Sequence, residues 1–314
     1  MILDVDTGVD DALAILFAVR HPALDVRAIS CVTGNVPVEQ VVINTLKVLD
    51  AVGAPDIPVG RGCRQPLVEP VAGGRSVHGA DGLADLGLPT STRHPADVHA
   101  VELLRATLAP PALPRVVLVT LAPLTNVALL LRMYPEAATG IDRLVLMGGT
   151  ARHRHPDRAV DFNVAADPEA AAIVFGSGLP ITMYGLDVFY DVTTTLADGE
   201  RIAASPDPAG RLAGQLIQHQ ARRFGDHAAT LGDAGAIMSV VSPDGLRTER
   251  GSAKVDLAGP VRGQVRIDPA PHPIPPLDRH EPGHVDIALE VDGQRYRDLF
   301  LSTITGQLMA VAAG

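Results

Sequence analysis

The sequence has no tryptophan, only two cysteines and only two lysines, and aromatic residues make up 3% of its 314 positions. Each shortage excludes something. With so few rings, a pocket that grips a purine by stacking on several aromatic faces is not expected. Cys31 and Cys63 cannot form the disulfide framework of a small secreted domain, although one bridge between them stays open. Lys47 and Lys254 are the only lysines and the formal net charge is -10, so the basic face of a nucleic-acid binder is missing. No apolar run is long enough to span a bilayer. The chain opens directly on a strand-like segment, without the basic and apolar stretches of a signal peptide. The expectation is a cytoplasmic protein with neither membrane nor nucleic acid as a partner.

What is present is a globular composition, 46% hydrophobic with mean hydropathy +0.19. The length suits a large core, and no clear linker or repeat interrupts it, so a single domain over residues 1–314 is expected. Short apolar runs alternate with helical periodicity. Strands are expected at 2–5, 24–32, 57–59, 115–121, 143–147 and 181–184. Helices are expected at 10–20, 38–51, 98–108, 124–133 and 168–175. Residues 60–95, rich in Gly, Pro and His, read as a long functional loop. After residue 190 the pattern turns more helical up to about 240. Strands are then expected within 253–267 and at 284–291, with a last helix at 297–311. Apolar strands alternating with helices imply an α/β fold: a mostly parallel, Rossmann-like sheet with helices on both faces. Additional helical and small β elements are expected in the C-terminal half.

Four aspartates fall in eight residues where the first strand gives way to a helix: Asp4, Asp6, Asp10 and Asp11. Like charges so close together repel. Acids at a helix start can serve as caps, but a set this dense suits a hard divalent cation better. The ends of parallel strands are where open α/β sheets bind ligands. Other polar residues lie at comparable places: Asn35 after the second strand, Asp161 and Asn163 beyond Met147, and Asp233 before an apolar helix. Asp4 shares the strand face of Asp6 and is a candidate supporting residue.

The stretch Asp4-Val5-Asp6-Thr7-Gly8-Val9-Asp10-Asp11-Ala12 resembles the signature of the inosine-uridine type nucleoside hydrolases. Thr7 stands where the family usually has proline. The resemblance continues in order through Thr33-Gly34-Asn35, His78-Gly79, Leu124-Thr125-Asn126, Val145 to Gly149 and Phe162-Asn163 with Asp167-Pro168-Glu169-Ala170. It implies Ca²⁺ held by Asp6, Asp11, Asp233 and the Leu121 carbonyl, with Asp6 as general base on a water held by the metal. It also implies Asp10, Asn35, Met147, Asp161 and Asn163 around a ribose, with His78 and His155 as further substrate contacts. The implied reaction is hydrolysis of a ribonucleoside N-glycosidic bond, and the implied assembly is a homodimer or homotetramer.

Departures touch both ends of the substrate. Gly232 stands where many members carry a histidine that protonates the leaving base. Asp161 stands where glutamate is usual, and His155 where asparagine is common. His78, His219 and His227 are the candidates for a replacement acid. Two other readings compete. One is a non-catalytic nucleoside-binding homologue. The other is a haloacid-dehalogenase-like phosphohydrolase with Asp4 as nucleophile and Mg²⁺ as metal; it lacks a well-placed lysine.

Overall fold

Four consecutive buried residues, Ile2–Val5, form the interior strand β1. Ile2 joins the apolar cluster on one face of the sheet, and Leu3 and Val5 join the cluster on the other. The two-residue period of a strand thus also sends Asp4 and Asp6 to the side of Ile2. The computed structural model describes residues 1–70, 76–109, 114–152, 160–224, 228–269 and 284–307. After β1 come α1 (Val9–Arg20), β2 (Ala28–Cys31), α2 (Val38–Val52), β3 (Val59–Arg61), α3 (Ala100–Leu108), β4 (Val116–Thr120) and α4 (Thr125–Met133). Next are β5 (Ile141–Met147), α5 (Phe162–Ala166), α6 (Pro168–Phe175), β6 (Ile181–Tyr184), α7 (Leu186–Phe189), β7 (Thr193–Thr195) and α8 (Leu196–Ala203). The chain continues through α9 (Pro208–Phe224), β8 (Ala228–Thr230), α10 (Gly232–Val241), β9 (Leu246–Val255), β10 (Val265–Pro269), β11 (His284–Val291) and α11 (Gly293–Thr305).

One nine-stranded sheet runs in the order β10-β9-β11-β6-β5-β4-β1-β2-β3. The run from β3 to β6 is parallel, as is β11 on β6; β9 pairs antiparallel with β11 and β10. Strand order reverses between β1 and β4, so the switch point of the sheet lies at the carboxyl end of β1. Helix α1 is buried along almost its whole length, with α2, α9, α10 and α11 packed around it. Helices α3, α4 and α6 cover the opposite face.

Local chemistry moves several boundaries from their expected places. The second strand is only Ala28–Cys31 and not 24–32, because Leu24 closes a turn onto the His21 carbonyl. The strand expected at 57–59 is Val59–Arg61, since Pro58 has no N–H to donate to the ladder and offers only its carbonyl, to Ile29. The region 253–267 is two antiparallel strands joined by a tight turn through Gly259–Val261. The helix expected at 297–311 starts earlier and ends sooner, at Gly293–Thr305; positions 308–311 of that expectation lie outside the described residues. The Asp292 side chain caps the Arg295 N–H at 3.0 Å, and Gly306 ends the helix in the left-handed region at φ 70. Strands β7 and β8 pair antiparallel in a separate sheet; at three residues each they are too short to leave a period in the sequence. Both cysteines are free and buried.

Asp167 ties three segments together. Its carboxylate caps α6 through the Ala170 N–H at 3.1 Å and accepts from Thr125 Oγ1 at 2.6 Å and from the Leu67 N–H at 2.9 Å. Pro168 follows at the first helical position, where no N–H is needed. Asp167→Ala leaves buried donors without partners and is expected to cost about 3 kcal/mol. A urea midpoint shifted down with an unchanged slope would show it.

Candidate active site

Several segments converge at the switch point. Asp6 leaves β1, and α1 starts after Gly8. Asp11 folds back over that start: its carboxylate accepts the Gly8 N–H at 2.9 Å and the Asp6 N–H at 3.3 Å. It therefore does cap its own helix, but that does not account for its neighbours. The loop after β2 brings the Asn35 N–H to Asp6 Oδ2 at 2.7 Å and Asn35 Nδ2 to Asp11 Oδ2 at 3.2 Å. The other Asp6 oxygen, Oδ1, is buried without a partner among the described residues. Asp233, in the first turn of α10, closes the group: oxygens of Asp10, Asp11 and Asp233 lie within 4.8 Å of one another. Asp6 stands beside this trio. Across the cleft, Asn163 Nδ2 lies 2.9 Å from the Leu121 carbonyl and 3.2 Å from both the carbonyl and the sulfur of Met147. Asp161 caps α5 through the Val164 N–H at 3.0 Å.

The electrostatics are those of crowded, desolvated carboxylates. Burial, reinforced by Asp11, pushes Asp6 well above the usual carboxylate range. Burial and then Asp10 raise Asp11 to about 7. Burial, followed by Asp10, Asp11 and Asp6, pushes Asp233 well above the usual carboxylate range. Asp161 is pushed to about 6 by burial against several amide donors. Such a set is costly unless something positive sits among it. The donors are all carboxylate oxygens, and one of them, Asp6 Oδ1, is buried with no partner among the described residues. That chemistry fits a hard divalent cation.

Asp4 lies behind the cluster. It is in register with Ser30 of β2, whose Oγ reaches Asp4 Oδ1 at 2.5 Å; Asn126 Nδ2 reaches the same oxygen at 2.9 Å. Burial holds its carboxyl at about 6 despite these bonds. A nucleophile buried inside the sheet cannot meet a phosphoryl group, so the phosphohydrolase reading loses its key residue.

The profile of the family described as "Inosine-uridine preferring nucleoside hydrolase" matches residues 1–298 of the chain. The chain belongs to that family. It is 39% identical over 249 residues to the pyrimidine-specific ribonucleoside hydrolase RihA of Photobacterium profundum, covering 78% of this chain and 80% of that protein. Its identity to the RihA of Escherichia coli O7:K1 is 37% over 274 residues, 85% of this chain and 88% of that one. Among solved structures, it superposes on the purine-preferring ribonucleoside hydrolase from Gardnerella vaginalis with TM-score 0.86 at 30% identity, over 97% of this chain and 98% of that one. An inosine-guanosine nucleoside hydrolase gives TM-score 0.88 at 29% identity, with the same coverage. The protein is thus a nucleoside ribohydrolase, an N-glycosyl hydrolase, with the α/β architecture of its relatives. Among the described residues no helix is long and apolar enough to cross a membrane.

In this nucleoside hydrolase His78 ends a short 3-10 turn at the rim of the site. Its Nδ1 accepts the Val9 N–H at 3.2 Å and lies 3.6 Å from Asp10 Oδ1. His219, on α9, meets the Val77 carbonyl at 3.3 Å. His155 and His227 lie outside the described residues. Gly34 belongs to a motif but has no role of its own in the sequence reading. A Cβ there would stand 1.9 Å from Asp6 Oδ2, so only glycine lets the loop after β2 close on that carboxylate. Gly34→Ala is expected to displace Asp6 and lower kcat about 10²-fold with an unchanged far-ultraviolet circular dichroism spectrum. Ser30, Asn126 and Asp187 likewise carry no role legible in the sequence alone. Asp187 receives the Ala151 and Arg152 N–H groups at 2.7 and 2.8 Å and so anchors the loop that leaves β5. A polar residue just past an apolar strand was the available signal for Asn126.

Proposed function

We propose that this hydrolase cleaves pyrimidine ribonucleosides to ribose and free base with Ca²⁺ held by Asp6, Asp11, Asp233 and the Leu121 carbonyl. The observation that carries this reading is the grouping of Asp10, Asp11 and Asp233, whose oxygens lie within 4.8 Å of one another, with Asp6 bonded to the Asn35 N–H beside them. The curated relatives at 37–40% identity are named pyrimidine-specific, whereas the purine-directed names belong to structures at 29–30%. The scarcity of aromatic rings, 3% of the chain, supports the same preference, because a purine gains more from stacking.

Ca²⁺ bound there would offset the clustered negative charge and would supply Lewis acidity toward a water. Every other task falls to the chain. Asp6 takes the proton from the attacking water: its Oδ2 is held by the Asn35 N–H, and its Oδ1 is left to accept. Asp10, Asn35, Asn163 and Asp161 offer acceptors and donors to the ribose hydroxyls, and Met147 lies beneath the sugar. N-glycosidic cleavage develops positive charge on the sugar ring, which surrounding carboxylates favour over the neutral ground state.

Asp10 stands close enough to Asp11 and Asp233 to serve the ion as well. Ca²⁺ titration of Asp10→Asn separates the two roles: unchanged affinity with a raised KM assigns it to the sugar. The function itself is tested with cytidine, uridine, inosine and adenosine in phosphate-free buffer. Equal amounts of base and reducing sugar, with pyrimidines ahead by about tenfold or more in kcat/KM, are expected. Purine preference would remove the specificity, and no release from any of the four would remove the reading.

A further inference from the structure

Two aromatic side chains of the β6–α7 segment press into the first turn of α10, on either side of Asp233. A Cβ on Gly232 would lie 2.0 Å from Phe189 Cε2, 2.1 Å from Cδ2 and 2.4 Å from Cζ; one turn on, a Cβ on Gly235 would lie 2.2 Å from the Tyr184 hydroxyl. Neither glycine has a positive φ, so close approach and not backbone freedom demands them. Phe189 is the last residue of α7, the short helix that leaves the carboxyl end of β6, and so stands at the same end of the sheet as the carboxylates. Its ring is 8% exposed, with Tyr190 edge-on at 5.0 Å. In a chain with six phenylalanines and four tyrosines, a ring next to a cluster aspartate is a distinctive placement.

We propose that Phe189 is a specificity-determining residue. Its ring forms the apolar wall beside Asp233 and takes the space from which any side chain at position 232 would reach the leaving base. The inference rests on the hydrolase reading above and extends it. On this side the departing group meets a hydrocarbon face and receives no proton. Cleavage of the bond from C1′ leaves the electron pair on the leaving group, while the ring carbon gains the water oxygen and Asp6 takes a water proton. The wall therefore favours ribosides whose leaving group carries that pair as a stable anion, or leaves neutral because it was cationic when attached. It disfavours bases that must be protonated as they depart.

The test compares kcat/KM for p-nitrophenyl riboside and uridine in wild type, Phe189→Leu, Phe189→Ala and the double variant Phe189→Ala with Gly232→His. Wild type is expected to favour p-nitrophenyl riboside by about 10²-fold or more. Phe189→Leu, which keeps an apolar wall, should stay within about threefold of that ratio. The double variant, which makes room for an acid, should shrink the ratio about tenfold or more by raising the uridine rate. Phe189→Ala alone should also change the ratio, because water then reaches Gly232. If both alanine-bearing variants lose thermal stability but keep the wild-type ratio within about twofold, Phe189 is only a core residue and the proposal is overturned. If wild type releases no p-nitrophenolate in a chelator-sensitive way, it is the hydrolase reading that fails.

Discussion

Asp6→Asn lowers kcat about 10³-fold at saturating metal, in the range expected for loss of a general base. Asparagine keeps the shape of the side chain, and its oxygen still accepts the Asn35 N–H that sits 2.7 Å from Asp6 Oδ2. What disappears is the proton acceptor at Oδ1, the buried oxygen without a partner. With the sugar contacts assigned, as proposed, to Asp10, Asn35, Asn163 and Asp161, KM should move by no more than about threefold. Metal affinity falls as well, so the comparison requires a full Ca²⁺ titration of each protein. A variant that keeps kcat within about twofold of wild type at saturating Ca²⁺ would transfer the base role to another carboxylate.

Removing the metal makes the stability of the protein fall as pH rises. Asp11 at about 7, Asp161 at about 6, and Asp6 and Asp233 higher than the usual range all have carboxyls raised in the folded state. Between the ordinary value near 3.8 and these raised values, the folded chain binds more protons than the unfolded chain. Unfolding free energy therefore decreases with pH across that window. Chelated protein should lose about 2 kcal/mol or more between pH 5 and pH 7.5. Ca²⁺ at about 100 times its Kd restores about 2.7 kcal/mol at the upper pH. Thermal melts at the two pH values, with and without chelator, check this. A chelated protein that is more stable at pH 7.5 than at pH 5 would mean that the carboxylates are not repelling one another in the folded chain.

Much of the site was legible because its chemistry is local. Asp6, Asp10 and Asp11 occupy one strand-to-helix turn, and no ordinary cap needs so many acids. Asn35, Asp161, Asn163 and Asp233 are far apart in sequence; parallel strands bring such loops to one edge, and the ordered resemblance named them. The central strands were legible because both faces are covered, which leaves unbroken apolar runs such as Val116–Thr120. Less legible was everything set by contact between segments. Nothing in the run of residues says that Phe189 needs a glycine at 232, that Asn126 reaches back to Asp4, or that Gly34 must lack a side chain to admit Asp6. Pro58 and the Asp292 cap shifted strand and helix ends by a few residues, as single hydrogen-bonding groups do. Two three-residue strands, β7 and β8, carry too few positions for any period.

The most direct measurement is ribose release from uridine and cytidine by one protein sample as prepared, after chelation, and after adding back Ca²⁺ or Mg²⁺, with Asp233→Asn in parallel. Activity that vanishes on chelation, returns with Ca²⁺ more fully than with Mg²⁺, and stays below about 1% of wild type in Asp233→Asn is the expected result. Undiminished release in chelator, or an Asp233→Asn variant as active as wild type, would contradict hydrolysis at a metal held by these aspartates.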